Sequence, residues 1–302
     1  GAREIQVNAP AVDDIPVPQI DETGQEEGLW LANRIPFPKL VYKDKEGTVK
    51  STREFIGKPV LVNLWAAWCE DCLQELSEFA ENQEKILDLG ATILALNADG
   101  LTTDGQEAAT LDGWSELSRL GFGLESGKAR PENLGKMEIL IEFLTSRRKP
   151  LSIPTSFLID SKGELAAIYQ GVVSCRQIVS DLALLEASSQ EQIPRLSPRQ
   201  GKWFENPLTE DNTTRLGDYA TLFARNGFPA EAEYLLRLVN PPGKVATSQE
   251  LYNQAKIATA QGKIGEAKKL YQEALRTNPE YGQALTGLGA LFLMEKRFDL
   301  AQ

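Results

Sequence analysis

The spacing of apolar residues changes several times along the chain, and each change predicts an element. Val60-Leu-Val-Asn-Leu-Trp65 is a mostly apolar run and reads as a buried strand. Two small residues, Ala66 and Ala67, make a turn. Leu73, Leu76, Phe79, Ala80, Ile86 and Leu87 then recur at three- and four-residue steps, which is one face of a helix. Ala91 to Leu96 has the alternating, β-branched character of a strand. Trp114 to Leu120 predicts a short helix. Pro131 to Arg148 predicts a longer one, with Leu134, Met137, Leu140, Ile141 and Leu144 on one face. Ser156 to Ile159 and Leu165 to Tyr169 are the last two strands. Gly171 ends the second, and Ser174 is placed to cap a closing helix through Leu185. Upstream, Leu40 to Tyr42 and Thr48 to Lys50 flank a Lys43–Gly47 turn and predict a short hairpin. Gly28 to Asn33 predicts a helical turn.

The segments around this block are of different kinds. Residues 1–34 hold Pro10, Pro16, Pro18 and the acidic run Asp21-Glu-Thr-Gly-Gln-Glu-Glu27, and read as an extended lead-in. Asn97 to Gly113 is loop-like, and no role is assigned to the elaboration at 101–150. Trp114 and Phe122 within it read as packing residues. Residues 186–213 are polar, with Pro194, Pro198 and Pro207, and read as a linker. In residues 214–302 the pattern turns helical and repeats. Gly227 with Ala232, Gly262 with Ala267, and Lys296 with Ala301 line up at steps of thirty-five and thirty-four residues. Leu251, Ala255, Ala258, Gly262, Ala267, Tyr271, Ala274 and Pro279 resemble a tetratricopeptide repeat, and Leu285, Leu288, Gly289, Phe292 and Ala301 begin another. Small residues at such places let paired helices approach closely. The last repeat is truncated inside a helix, which predicts a continuing chain or a covering partner.

The candidate chemistry is Cys69-Glu-Asp-Cys72, set where the Val60–Trp65 strand hands over to a helix N-terminus. Free backbone N–H groups and the positive end of the helix dipole point at that spot. They favour thiolate on the first cysteine, and thiolate is the reactive form. A two-residue spacer over one helical turn brings the second sulfur close enough to close a small ring, the arrangement for reversible dithiol–disulfide exchange. Half of a zinc site is the competing reading, but zinc takes four N or S ligands. The chain has no histidine and one other cysteine, Cys175, which reads as an inert, partly buried thiol. A plain structural disulfide is the remaining alternative.

Trp68-Cys69-Glu-Asp-Cys72 after Asn63-Leu-Trp65 resembles the thioredoxin superfamily, and most of all its extracytoplasmic TlpA/ResA-like branch. Leu151-Ser-Ile-Pro-Thr-Ser-Phe-Leu-Ile-Asp160 is similar to the family's cis-proline strand. The resemblance covers about residues 35–185. It implies an α/β thioredoxin-like domain, a central mixed sheet flanked by helices; the repeat pattern beyond it predicts an all-α helical repeat domain. The resemblance also implies that Cys69 and Cys72 form a redox-active disulfide and that Pro154 is cis. Ile153, Pro154 and Thr155, with Trp68, Glu70 and Asp71, would then line the substrate site, the Ile153 backbone pairing with an extended chain. A glutamate at the place of Glu75 belongs to the active site of ResA-like proteins and handles the proton of the resolving cysteine. Plain thioredoxins instead carry a buried Asp in the preceding strand, where this chain has Asn63.

Charge adds a second layer. The chain of 302 residues has a net charge of −11, which argues against nucleic-acid binding. The acidity belongs to the first 185 residues, and the rest is balanced at fourteen basic and fourteen acidic side chains. Six acids, Glu70, Asp71, Glu75, Glu78, Glu81 and Glu84, precede the first base, Lys85. Those at the helix start satisfy its dipole but disfavour a thiolate on Cys69. No stretch is apolar enough for a membrane span. The expected function is disulfide reduction on partner proteins outside the cytoplasm, with no cofactor, an unidentified electron donor and a protein or peptide partner on the repeats. The alternative is a repeat-based scaffold whose redox site is incidental. Peroxidase activity is disfavoured, because Ala66 stands where the peroxiredoxin pattern has Thr.

Overall fold

The computed structural model describes residues 28–101, 112–148, 150–185, 212–239 and 245–299. The acidic lead-in, the linker prolines and Ala301 lie outside them. The first element is a correction: the chain from Leu29 to Pro36 is a strand, β1, where a helical turn was expected. Its apolar side chains leave on both faces, as a two-residue period requires. Trp30 packs on one side of the sheet, and Leu31 and Ile35 on the other. The sheet thus starts inside the expected 1–34 lead-in.

The hairpin follows as β2 (Val41–Lys43) and β3 (Val49–Ser51). Next come β4 (Val60–Trp65), α1 (Glu70–Glu81), α2 (Gln83–Asp88) and β5 (Thr92–Asn97). A single helix to Leu87 was expected, but it breaks at Asn82, whose amide donates to the Glu78 carbonyl at 2.9 Å. Leu87 is accordingly exposed. Then come α3 (Gly113–Arg119), β6 (Glu125–Lys128), α4 (Pro131–Thr145), β7 (Thr155–Ile159), β8 (Glu164–Gln170) and α5 (Cys175–Leu184). The sequence reading lacked β6, a short strand of Glu, Ser, Gly and Lys with no apolar pattern to mark it. Ser174 does cap α5, accepting the Gln177 N–H at 3.2 Å.

The eight strands form one sheet in the order β1-β8-β7-β4-β5-β6-β2-β3. β4, β5 and β6 are parallel, while β7 runs antiparallel to β4 in the centre. Alternation along β4 sorts its side chains between two cores. Val60, Val62 and Leu64 face α4, while Leu61 and Trp65 face α1 and α5. Asn63, between Leu61 and Trp65, therefore points toward α1.

Among the described residues five further helices follow: α6 (Asn212–Arg225), α7 (Pro229–Val239), α8 (Ser248–Ala260), α9 (Ile264–Thr277) and α10 (Gly282–Asp299). Gly227 and Gly262, at φ 84° and 73°, make the equivalent turns of two hairpins. Ala232 and Ala267, five residues on, are fully buried. A Cβ on Gly217 would overlap the Asn253 amide, so this glycine sets how closely α6 and α8 approach.

These helices are not a free appendage. Tyr219, Phe223, Ala232, Leu235 and Ile257 belong to the same continuous core as Phe157, Leu140 and the α4 face of the sheet. The Phe143 and Tyr219 rings stack at 4.7 Å. Lys136 and Glu231 form a largely buried ion pair at 2.5 Å, and Lys136 also donates to the Lys39 carbonyl at 2.7 Å. Arg53 lies over the Tyr234 ring at 4.1 Å.

A shared core predicts shared unfolding. Phe223→Ala should cost about 3–5 kcal/mol, the range for removing a buried aromatic ring. Four of the five tryptophans, Trp30, Trp65, Trp68 and Trp114, lie in the sheet portion, so their fluorescence reports its unfolding. The denaturation midpoint followed by that fluorescence should fall although the substitution sits in α6. An unchanged midpoint would show that the helices melt on their own.

Candidate active site

The strand–turn–helix unit places the cysteines as the sequence predicts. β4 ends at Trp65, and Ala66 and Ala67 turn the chain. Asp99, just past β5, accepts the Ala67 N–H at 2.9 Å and pins that turn to the neighbouring parallel strand. Cys69 is the N-cap of α1, its Sγ accepting the Cys72 N–H at 3.2 Å, and the two sulfurs form a disulfide. Cys69 keeps 8% of its surface in solvent, whereas Cys72 is fully enclosed one turn inside. Glu70 and Asp71 are exposed on the first turn of the helix. Trp68 is half-buried against the same apolar cluster as the cysteines, and its indole N–H is enclosed without a partner.

Ile153-Pro154 is a cis peptide bond. Pro154 offers its carbonyl to the Gly171 N–H at 3.0 Å, and the Thr155 hydroxyl donates to the Ser152 carbonyl at 2.8 Å. Thr155 pairs with Leu64 near the end of β4. Ile153 packs against the cluster that contains both cysteines, so the loop adjoins the disulfide.

Glu75 is more enclosed than a residue at the flank of an apolar stripe: 1% of it is exposed. It lies three residues past Cys72, on the same side of α1. The Asn63 Nδ2 donates to one of its carboxyl oxygens at 2.6 Å, and the Val173 N–H donates to the other at 2.8 Å. Asn63 Nδ2 also reaches the Ser156 Oγ at 2.9 Å, across the β4–β7 pair in which these two residues are register partners. Burial pushes the Glu75 carboxyl up from 4.5 to about 7, against the two hydrogen bonds that lower it, with Glu78 adding to the rise. It can therefore gain or lose a proton near neutrality.

Ser156 and the Val173 N–H are the site groups that sequence reasoning missed. Ser156 had a signal, since a hydroxyl in a central strand needs a partner. Val173 had none, because a backbone amide looks alike in every sequence. Cys175 is 2% exposed, and burial raises its thiol, in keeping with an inert role. Trp114 and Phe122 pack against the α1-side core. Trp65, Asn97, Asp99, Asp112 and Trp114 line a cavity of about 250 Å³ beyond the ends of β4 and β5. Among the described residues no cluster of His, Cys, Asp or Glu is placed to hold a metal ion.

Residues 34–168 match the AhpC/TSA family. The thioredoxin-like protein YneN of Bacillus subtilis is 25% identical over 163 residues, which cover 54% of this chain and 82% of that protein. The thiol–disulfide oxidoreductase ResA of Bacillus anthracis is 30% identical over 128 residues, 42% of this chain and 64% of the relative. A thioredoxin-family thiol:disulfide interchange protein of known structure from Chlorobium tepidum overlaps 50% of this chain and 96% of its own, at 20% identity and a TM-score of 0.40. Residues 34–168 thus form a thioredoxin-like domain that matches the AhpC/TSA family, and its relatives include thiol–disulfide oxidoreductases of the ResA kind.

Proposed function

We propose that this protein is a thiol–disulfide oxidoreductase that reduces disulfides of partner proteins through the Cys69/Cys72 dithiol. The observation that carries the reading is the asymmetry of the pair. Cys69, at a helix N-terminus, keeps 8% of its surface in solvent, while Cys72 is enclosed one turn in, three residues before the buried Glu75 carboxyl, which burial pushes up to about 7. In the reduced protein the Cys69 thiolate attacks a substrate disulfide, forming a mixed disulfide and releasing one substrate thiolate, which takes up a proton. Cys72 gives its proton to the Glu75 carboxylate and attacks the Cys69 sulfur. The bond between the two proteins breaks, the second substrate thiolate leaves and is protonated, and Cys69–Cys72 closes. Two electrons pass from the dithiol to the substrate, with one proton from Cys72 by way of Glu75 and one from solvent, and a dithiol donor must restore the pair.

Trp68, Glu70 and Asp71 border the attacking sulfur in this reading, while Ile153, Pro154 and Thr155 hold the substrate backbone by a short β-bridge. The redox unit is residues 35–185, extended at its start by β1, which completes the sheet. Residues 214–302 are tetratricopeptide-like, supported by the thirty-five-residue step from Gly227 to Gly262 and the buried Ala232 and Ala267. Leu285, Phe292 and Leu293 give α10 an exposed apolar side suited to a protein partner. That side is also what favours the second reading, a scaffold whose redox site is incidental. An extracytoplasmic site of action follows from the resemblance to the TlpA/ResA-like branch. Among the described residues no helix is long and apolar enough to cross a membrane.

Insulin reduction separates the two readings: an oxidoreductase accelerates it, and a scaffold does not. Cys69→Ser should abolish the activity, and Cys72→Ser should accumulate mixed disulfides. Faster alkylation of Cys72 than of Cys69 in the reduced protein would reverse these assignments.

Glu75 predicts a pH dependence of stability. Its folded value of about 7 lies above the 4.5 of an unperturbed carboxyl, so folding favours the protonated form. The stability this contributes is complete below about pH 4.5 and is lost as pH rises through about 7, on the order of 3 kcal/mol in all. Glu75→Gln should remove that slope. Urea titrations of both oxidised proteins from pH 4.5 to 8 measure the difference, and parallel curves would place the Glu75 titration elsewhere.

The acidic spacer predicts a reducing couple. Glu70 and Asp71 put negative charge beside Cys69 and offset part of the thiolate stabilisation from the helix N-terminus. The potential should lie closer to about −270 mV than to about −120 mV. Glu70→Gln with Asp71→Asn should make it less negative. Equilibration with a dithiothreitol buffer series reads both values, and a wild-type potential above roughly −180 mV would contradict this account.

A further inference from the structure

We propose that Asn63 is a positioning residue for Glu75 whose side-chain amide turns over as Glu75 gains or loses its proton, so that one buried contact serves both protonation states. The inference rests on the reading that Glu75 carries the Cys72 proton. In the observed orientation both Nδ2 hydrogens are used, one on Glu75 Oε2 at 2.6 Å and one on Ser156 Oγ at 2.9 Å. The Val173 N–H occupies Glu75 Oε1 at 2.8 Å. Each carboxyl oxygen therefore meets a donor, which suits the carboxylate and leaves an added proton facing N–H groups. The Asn63 Oδ1, meanwhile, is enclosed with no partner.

A half-turn about the terminal torsion of Asn63 exchanges Oδ1 for Nδ2, and that torsion is broad and roughly two-fold. Oδ1 then accepts the O–H of a protonated Glu75. Ser156 follows without moving, because a hydroxyl accepts from Nδ2 in one state and donates to Oδ1 in the other. The amide thus offers a donor and an acceptor related by rotation alone. An Asp at this place would set a second charge against Glu75, and a Leu would leave the carboxyl with one partner. The turned-over state points an N–H into the space where Oδ1 had no partner. A buried unpaired N–H is rarer than an under-used carbonyl oxygen, so Asn63 favours the carboxylate on balance.

The surrounding charges do not duplicate this role. Glu78, on α1 itself, pushes Glu75 toward protonation. Cys72 on α1 is tied in the disulfide. Cys175, at the start of α5, has its thiol pushed up by burial and so stays neutral. β4 and β7 contribute the uncharged Asn63 and Ser156.

The test is NMR on the full-length oxidised protein, with ¹³C-labelled glutamate and ¹⁵N-labelled asparagine side chains. The Glu75 carboxyl signal is assigned by its loss in Glu75→Gln, and that of Asn63 by its loss in Asn63→Leu. The Asn63 amide resonance should titrate with the same midpoint as the Glu75 carboxyl. In Asn63→Leu that midpoint should rise by about one pH unit or more, since a donor to the charged form is gone. Ser156→Ala, which takes a partner from the Asn63 amide in both states, should shift the Asn63 amide resonance while leaving it titrating with Glu75, and it identifies that resonance if Asn63→Leu does not fold. An Asn63 amide that stays constant while Glu75 titrates overturns the inference, as does an unmoved midpoint in Asn63→Leu. The underlying reading fails separately. If Glu75→Gln leaves the pH profile of mixed-disulfide resolution by Cys72 unchanged, Glu75 is not the proton carrier, whatever the amide does.

Discussion

A carboxyl group shut between a sheet and the helix that covers it must be hydrogen-bonded, and in this fold that need fixes what surrounds the disulfide. Glu75 cannot turn to solvent, because Cys72, Leu76 and Phe79 on the same helix are fully buried around it. Its two oxygens are met by one group from β4 and one from the segment that leads into α5. The helix carrying the cysteines is thereby fastened to both of its neighbours at the level of the reactive pair. Burial pushes the carboxyl up and the two donors hold it down, and the balance near neutrality comes from terms of opposite sign rather than from burial alone.

The same strand shows how one sequence period serves two purposes. Val60, Val62 and Leu64 build one core, while Leu61, Asn63 and Trp65 build the other. A one-residue slip in register would send Asn63 to the α4 face of the sheet, away from Glu75. Six parallel register pairs with β5 and five antiparallel ones with β7 leave little room for such a slip. The polar residue in an otherwise apolar strand is thus tolerated because the flanking apolar residues lock its face.

The active-site strand, its helix, the hairpin and the closing helix were legible because each carries strong local signals: an apolar run, a helical period, a turn glycine, a capping serine. The early break of α1 was not, because Asn82 ends the helix through a side-chain contact that the apolar period overrides on paper. β1 was hidden by its acidic, proline-rich surroundings and is held by partners that lie more than a hundred residues away, Arg34 to Asp160 at 2.7 Å among them. The depth of Glu75 was half legible. Its place three residues after Cys72 pointed to the site, but its enclosure depends on Val173 and Ser156, which only the assembled sheet brings near. The docking of the helices on α4 left a trace that went unused. Ile139 and Phe143 extend the apolar arc of α4 beyond the face formed by Leu140 and Leu144, and a helix apolar over a wide arc is covered on more than one side.

That second covering changes how the two halves of the chain relate. The α1 face of the sheet carries the chemistry, and the α4 face carries the helical pairs, so the sheet separates the two roles. They meet at one loop. Leu151 belongs to the α4-side core, and Ile153 packs against both cores. Arg148, just before this loop, donates to Asn226 at the end of the first helical hairpin's leading helix, at 3.2 Å. The backbone proposed to hold substrate therefore packs between the two cores, with a contact to the helices just before it. A loop held from two sides presents a fixed edge to an extended chain, and pre-organisation of that kind lowers the ordering cost of binding without adding a contact.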